Sequence, residues 1–266
     1  MLIEKFNLEK HLDLTKDLPF SYFSSLAYLD CVAYVLERNG SKIVVSQDIY
    51  YSHEFPAVFL PKNREDRRFC SVTFASEEDV KKIEADGIEI VVKNEIATEF
   101  FYATEDFVNL TKKSFREKVK QFKKLYAHEI FYDYPKEKIM EFYELWKAQK
   151  DRSSADTFYE SEAFFLWLLD NLEKHNVKQV YVEVDGKLVG LAFGIEHGND
   201  SWVGLQLKVD YEYKGLSRFM HHERAKLFQD RKEFTIGSGA HEKGIEAYKR
   251  DLGPIREKQY YYILTR

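Results

Sequence analysis

Between residues 136 and 228 the apolar residues change their period from 3.6 to 2 and back, and this change limits the fold more than any other feature of the chain. KEKIMEFYELWKAQ (136–149) and ESEAFFLWLLDNLEK (160–174) carry apolar residues at helical spacing. QVYVEV, KLVGLAFGIEH and SWVGLQLKV then alternate, as strands with one buried face do. Asp185-Gly186 joins the first two strands as a tight hairpin, and His197–Asp200 joins the next two. A helix over Gly215–Phe228, a strand FTIGS, a helix over Glu242–Arg250 and a strand QYYYILT follow. This order implies an α/β (α+β) lobe with a mixed, mostly antiparallel sheet flanked by helices.

The first half reads as a second such lobe. A helix is expected over 21–36, closing at Asn39-Gly40, and then short strands at KIVVSQDI, PAVFLP, FCSVTF, IEIVVK and TEFFYA. A helix capped by Ser76 and ended by Gly87 lies among them. A long amphipathic helix, Thr104–Tyr126, is capped by Thr104 and links the halves. The expected organisation is therefore 1-103, a basic linking segment 104-134, and 135-266.

Several classes are disfavoured. The net charge of −5 argues against a protein that coats nucleic acid with its whole surface. Two cysteines, Cys31 and Cys70, imply no disulfide framework and fit a reducing, cytoplasmic setting. No apolar run approaches the ~20 residues of a membrane span, so no membrane insertion is expected. His221-His222-Glu223 are adjacent on a helix, where side chains diverge by about 100°, and HExxH spacing is absent, so no metal is expected.

The turn before the third helix reads Glu212-Tyr213-Lys214-Gly215-Leu216-Ser217. It resembles the Gln/Arg-x-x-Gly-x-Gly/Ala turn with which GNAT-type acyltransferases hold a pyrophosphate, with Glu212 in place of the opener. TEFFYATEDFVNLTKKSFREKVKQF resembles a basic segment of the phosphatidylglycerol lysyltransferase C-terminal family. YKGLSRFMHHERAKLF and IGSGAHEKGIEAYKRDLGPI resemble the closing segments of that family and of the Fem-type peptidyltransferases. The resemblance covers about residues 98–266 and implies two tandem GNAT-like lobes. It also implies that Arg116 and Lys249 bind substrate, and that Tyr211, Tyr213, Lys214, Gly215, Leu216 and Ser217 hold the donor. Val119 and Leu207 stand where relatives have Arg and Glu.

The residues themselves add candidates. On the 104–126 helix Lys112, Lys113, Arg116, Lys120, Lys123 and Lys124 share a basic arc, which serves either as a solvated face or as a phosphate strip. Lys118 instead projects onto the apolar arc, which points to a ligand cleft. Lys208, one alternation from Gln206 and just before the turn, would neutralise a donor phosphate or a developing oxyanion. Glu196 and Asp210, with His197, are general-base candidates for taking a proton from an amine. Tyr248 could give a proton to a leaving group.

The reading is an acyltransferase moving an acyl or aminoacyl group to a small-molecule or peptide amine. The donor is acyl-CoA, favoured by size and net charge, or aminoacyl-tRNA, favoured by the resemblance and by the basic helix 112-124. The rival is a non-catalytic GNAT-like scaffold binding a peptide, small amine or partner, to which Glu212, Leu207 and Val119 point.

Overall fold

Alternation and helical period in the sequence resolve into twenty elements in a computed structural model that describes residues 2–46, 56–149, 155–239 and 242–266. In chain order these are β1 (Leu2–Lys5), α1 (Leu8–His11), α2 (Leu26–Val32), β2 (Ala33–Arg38), β3 (Ser41–Ser46), β4 (Ser71–Ser76), α3 (Glu77–Ala85) and β5 (Ile90–Ala103). There follow α4 (Thr104–Val108), α5 (Lys113–Leu125), β6 (His128–Phe131), α6 (Lys136–Ala148), α7 (Ala155–Asp170) and β7 (Lys178–Val184). The rest are β8 (Lys187–His197), β9 (Ser201–Val209), α8 (Leu216–Lys226), β10 (Glu233–Ser238), α9 (Lys243–Asp251) and β11 (Arg256–Thr265). The α/β class expected from the sequence is the one observed.

The chain forms two compact units: Met1–Phe100 with Ser238–Lys249 and Arg256–Arg266, and Phe101–Gly237 with Arg250–Ile255. They are drawn differently from the contiguous lobes read from the sequence, because β11 returns to pair antiparallel with β4 in the first unit.

In the first unit β1, β2 and β3 form an antiparallel sheet and β4, β11 and β5 are neighbours in that order. The helix expected over 21–36 is only the seven residues of α2. Ala33–Arg38 alternate instead as β2, and Asn39-Gly40, both at positive φ (51° and 75°), turn the chain into β3. Asn-Gly suits a hairpin as well as a helix end, and the alternation after Ala33 decides for the hairpin. Residues 47–49 of the expected first strand lie outside the described residues. Ala57 makes only isolated bridges, to Val45 and Val72, and the two strands expected over IEIVVK and TEFFYA are the single β5. Ser76 caps α3 as expected: its hydroxyl accepts from the Asp79 amide, and the Asp79 carboxylate accepts from the Ser76 amide.

In the second unit the sheet order is β10-β9-β8-β7-β6. β6 to β9 are antiparallel neighbours, and β10 is parallel to β9. The expected meander and its Asp185-Gly186 turn, at φ 51° and 72°, are present. One face of β8 and β9 receives α8, which Gly190 and Gly194 admit: a Cβ at Gly194 would lie 2.7 Å from the Phe228 ring. Phe193, alternating with Gly194, faces the other way and stacks on Phe165 of α7.

The long helix expected over Thr104–Tyr126 is broken into α4 and α5. Leu110 takes φ +55°, and Thr111 bonds back to Asp106 through its amide (3.1 Å) and hydroxyl (2.6 Å). Thr104 caps no helix. It is buried, and its hydroxyl accepts from Nε1 of Trp202 at 3.0 Å, while the indole lies flat between Phe228 and Phe234. Thr104→Val keeps the volume but strands a buried N–H, so we expect a loss of about 1–3 kcal/mol in urea unfolding. Thr111→Val, at an exposed position, should cost less.

Candidate active site at the exit of β9

β10 pairs with β9 only over Ser201–Val203, and β9 continues for six more residues before the chain turns into α8. That turn is built around Asp210. The Asp210 amide donates to the Val189 carbonyl at 2.8 Å, which anchors the carboxylate at the strand's end. Its Oδ1 accepts from the Glu212 amide and from Nε2 of Gln149, both at 3.0 Å, and its carbonyl accepts from the Tyr213 amide. The Tyr211 amide donates to Oε1 of the same Gln149, and the Lys214 amide donates to the Tyr126 hydroxyl at 3.3 Å. Gln149 and Asp210 thus clamp the loop from two sides.

α8 then starts at Gly215, whose φ is +86°. A Cβ there would sit 2.3 Å from the Lys118 carbonyl oxygen. Only glycine lets the start of α8 lie this close to α5.

Between the turn, the first turn of α8 and the α5 face carrying Ser114, Lys118 and Gln121 lies a cavity of about 510 Å³. Val209, Asp210, Tyr211, Tyr213, Lys214, Gly215, Ser217, Arg218 and Asp251 complete its lining. Three cations and two carboxylates therefore face one space. Arg218 donates to Oδ2 of Asp251 at 2.6 Å, and Lys112 donates to the Asp251 carbonyl. Lys118 has Oε1 of Gln121 at 3.4 Å. Tyr213 stands edge-on against Tyr126 at 5.0 Å, and burial together with the Asp210 charge holds its phenol pKa up, so it stays protonated.

The structure brings together Lys118, Asp210, Tyr211, Tyr213, Lys214, Gly215 and Ser217, all singled out from the sequence. Leu216 lies beneath them, fully buried in the core. Lys118 lies on the exposed rim of the cavity, which spares its ammonium the cost of burial on the apolar arc.

The other candidates do not line this cavity. Lys208 is 2% exposed on the α6–α7 side of β9, with its ammonium 4.0 Å from the centre of the Trp146 ring, 4.8 Å from Phe165 and 5.3 Å from Tyr143. It donates to Gln206 Oε1 at 3.2 Å. An aromatic cage, not a donor phosphate, surrounds it. Glu196 pairs with Trp202 at the far end of β8, about 20 Å along the strands from the cavity. Arg231 first and Lys178 second, at 2.8 and 3.1 Å, hold its carboxyl pKa down, which makes it a weaker base. Arg116 is spent on the Leu110 and Thr111 carbonyls, closing the break between α4 and α5. Tyr248 and Lys249 belong to the first unit, where Lys249 donates to the Ser238 carbonyl.

Sequence reasoning missed Gln149, Tyr126, Arg218 and Asp251. Arg218 had a signal, three residues after Gly215 on the same helix; the others meet the turn from 33 to 88 residues away in sequence. His221 and His222 serve the core: His222 Nδ1 meets the Phe107 carbonyl at 2.8 Å and His221 meets Arg224. Among the described residues no group of three or more His, Cys, Asp or Glu is placed to hold a metal ion.

Residues 55–250 match the family model described as phosphatidylglycerol lysyltransferase, C-terminal. Among solved structures, a conserved protein of unknown function from Bacteroides thetaiotaomicron superposes with a TM-score of 0.79 at 14% identity, over 98% of this chain and 99% of that one. L-PGS from Bacillus licheniformis gives 0.65 at 11% identity, over 98% of this chain and 92% of that one. FemX gives 0.60 at 11% identity, over 99% and 98%. At such identities the likeness is one of fold. No protein of curated function matches the sequence.

Gly215→Ala meets a left-handed backbone and a carbonyl at once. We expect it to cost more than the roughly 1–2 kcal/mol of the backbone term alone, with faster amide exchange in α5 and the start of α8. Unchanged stability and exchange would show that the close approach is not needed.

Proposed function

The chain belongs to the phosphatidylglycerol lysyltransferase C-terminal family, and from this premise we propose that it transfers an aminoacyl group from aminoacyl-tRNA to an amine at the β9 exit. The observation that carries the reading is the Asp210 turn. Where a pyrophosphate-binding loop would offer its amides to the ligand, the amides of Tyr211, Glu212, Tyr213 and Lys214 already donate to Gln149, Asp210 and Tyr126. This supports a donor without a pyrophosphate over acyl-CoA. The same bonds fix a carboxylate at the cavity wall, where it can accept a proton.

In the proposed reaction the amine nitrogen attacks the ester carbonyl carbon of the aminoacyl group. The C–N bond forms, the C–O bond to the terminal ribose breaks, the amine proton passes to Asp210, and the ribose oxygen takes up a proton. Lys118, Lys214 and Arg218 supply the positive field for the donor's phosphate and for the oxyanion. The family's name describes lysyl transfer to a lipid. Among the described residues no helix is long and apolar enough to cross a membrane, and an amine is the acceptor we propose.

The test supplies the full chain with a radiolabelled aminoacyl-tRNA pool and, separately, acetyl-CoA, each with a panel of polyamines, amino sugars and free amino acids. Label should move from aminoacyl-tRNA to an amine. Asp210→Asn should lose about 100-fold or more of that rate at unchanged melting temperature. Lys208→Met, inside its cage, should stay within a few-fold. Acetyl-CoA turnover without aminoacyl-tRNA turnover would overturn the donor assignment. Saturable donor binding with no turnover of either would favour the scaffold.

A further inference from the structure

We infer that the mouth of the β9-exit cavity is a nucleoside-phosphate subsite, with Tyr211 as the stacking platform and Lys118 and Lys214 as the phosphate contacts. The inference rests on the transferase reading only for its biological source, since an adenosine phosphate is common to aminoacyl-tRNA and to coenzyme A.

Tyr211 is 56% exposed, yet it lines the cavity. Its neighbour Tyr213 packs edge-on against Tyr126, which makes Tyr213 part of the wall. Tyr132 is equally exposed but does not line this space. The main chain that carries Tyr211 is held on both sides, by Gln149 at its own amide and by Asp210 at the next, so little backbone freedom is lost when a flat ligand settles on the ring. Aromatic rings stack on any base, because every base has a π-face.

The charges fit the rest of a nucleotide. Arg218 is already paired with Asp251, whereas Lys118 reaches only Gln121 at 3.4 Å and Lys214 is exposed at the rim. Two lysines available beside one exposed ring match a phosphate attached to a base by a ribose. The cavity, at about 510 Å³, lies within the range of small-ligand sites.

The test is calorimetric titration of the full chain with 5′-AMP and with ribose 5-phosphate. 5′-AMP should bind saturably and more tightly. Tyr211→Ala should weaken 5′-AMP by about fivefold or more and leave ribose 5-phosphate unchanged, while Tyr211→Trp restores 5′-AMP binding. Lys118→Glu should weaken both ligands. No 5′-AMP binding at millimolar concentration, or equal binding in Tyr211→Ala, overturns the subsite. An RNA minihelix ending in CCA or coenzyme A should displace 5′-AMP; displacement by the RNA identifies tRNA as the source, displacement by the coenzyme identifies acyl-CoA, and displacement by neither overturns the subsite. Aminoacyl transfer without 5′-AMP binding would sink the subsite and leave the transferase. 5′-AMP binding without turnover of either donor would do the reverse.

Discussion

The start of α8 rests against the backbone of α5 because residue 215 has no side chain, and the site depends on that approach. The 2.3 Å that would separate a Cβ from the Lys118 carbonyl leaves room for nothing but hydrogen. With the two backbones this close, the α5 side chains on either side of the contact, Ser114, Lys118 and Gln121, form the second wall of a space whose first wall is the Asp210 turn. Moving the helices apart by the width of a methyl group would widen that space and change the distance between Lys118 and the turn. The glycine does more here than permit a left-handed φ; it sets the dimension of the cavity.

Two buried cations frame the sheet behind this cavity, and each is stabilised in its own way. Arg224, 1% exposed, donates through Nη1 to the carbonyls of Phe193 and Gln206, both at 3.1 Å. Those carbonyls flank the register shift between β8 and β9, where the ladder is irregular. Its guanidinium lies over Gly204, where any Cβ would approach within 2.6 Å. Lys208, on the opposite face, meets three aromatic rings and the amide oxygen of Gln206. A bare buried ammonium costs several kcal/mol, and ring quadrupoles return about 2 kcal/mol or more when desolvated. Both cations therefore hold β9 from its two sides, upstream of the residue that the proposed chemistry uses.

How far this was legible in the sequence follows from which contacts are local. The β7–β9 meander and the Asp185-Gly186 turn were readable because alternation and a two-residue turn are properties of neighbouring residues. Asn39-Gly40 misled because the same dipeptide ends helices and closes hairpins, and Ala33–Arg38 pair with strands that the reading had not placed beside them. The break between α4 and α5 carries neither glycine nor proline. It is held by Thr111 and Arg116 bonding backward to Asp106, Leu110 and Thr111, a pattern that propensity does not report. At the site, the Gly215 turn and Lys118 were visible as departures from their surroundings, a glycine at a helix start and a charge on an apolar arc. For Lys208, alternation correctly placed it with Gln206, but alternation says nothing about what covers a face, and α6 and α7 cover that one.

The clamp on the turn also bears on why Glu212 is tolerable where an uncharged or basic opener is usual. In a loop whose amides must hold a pyrophosphate, an acid at that position repels the ligand. Here the Glu212 amide donates inward to Asp210, and the residue itself is exposed. Its carboxylate is therefore in solvent, where screening over a Debye length of about 10 Å weakens its effect on a ligand. The departure at Glu212 and the occupied amides are thus one feature seen twice. A turn that has satisfied its own donors has no need of a cationic or neutral opener, and the positive charge it lacks is supplied from the facing side of the cavity by Lys118 and Arg218.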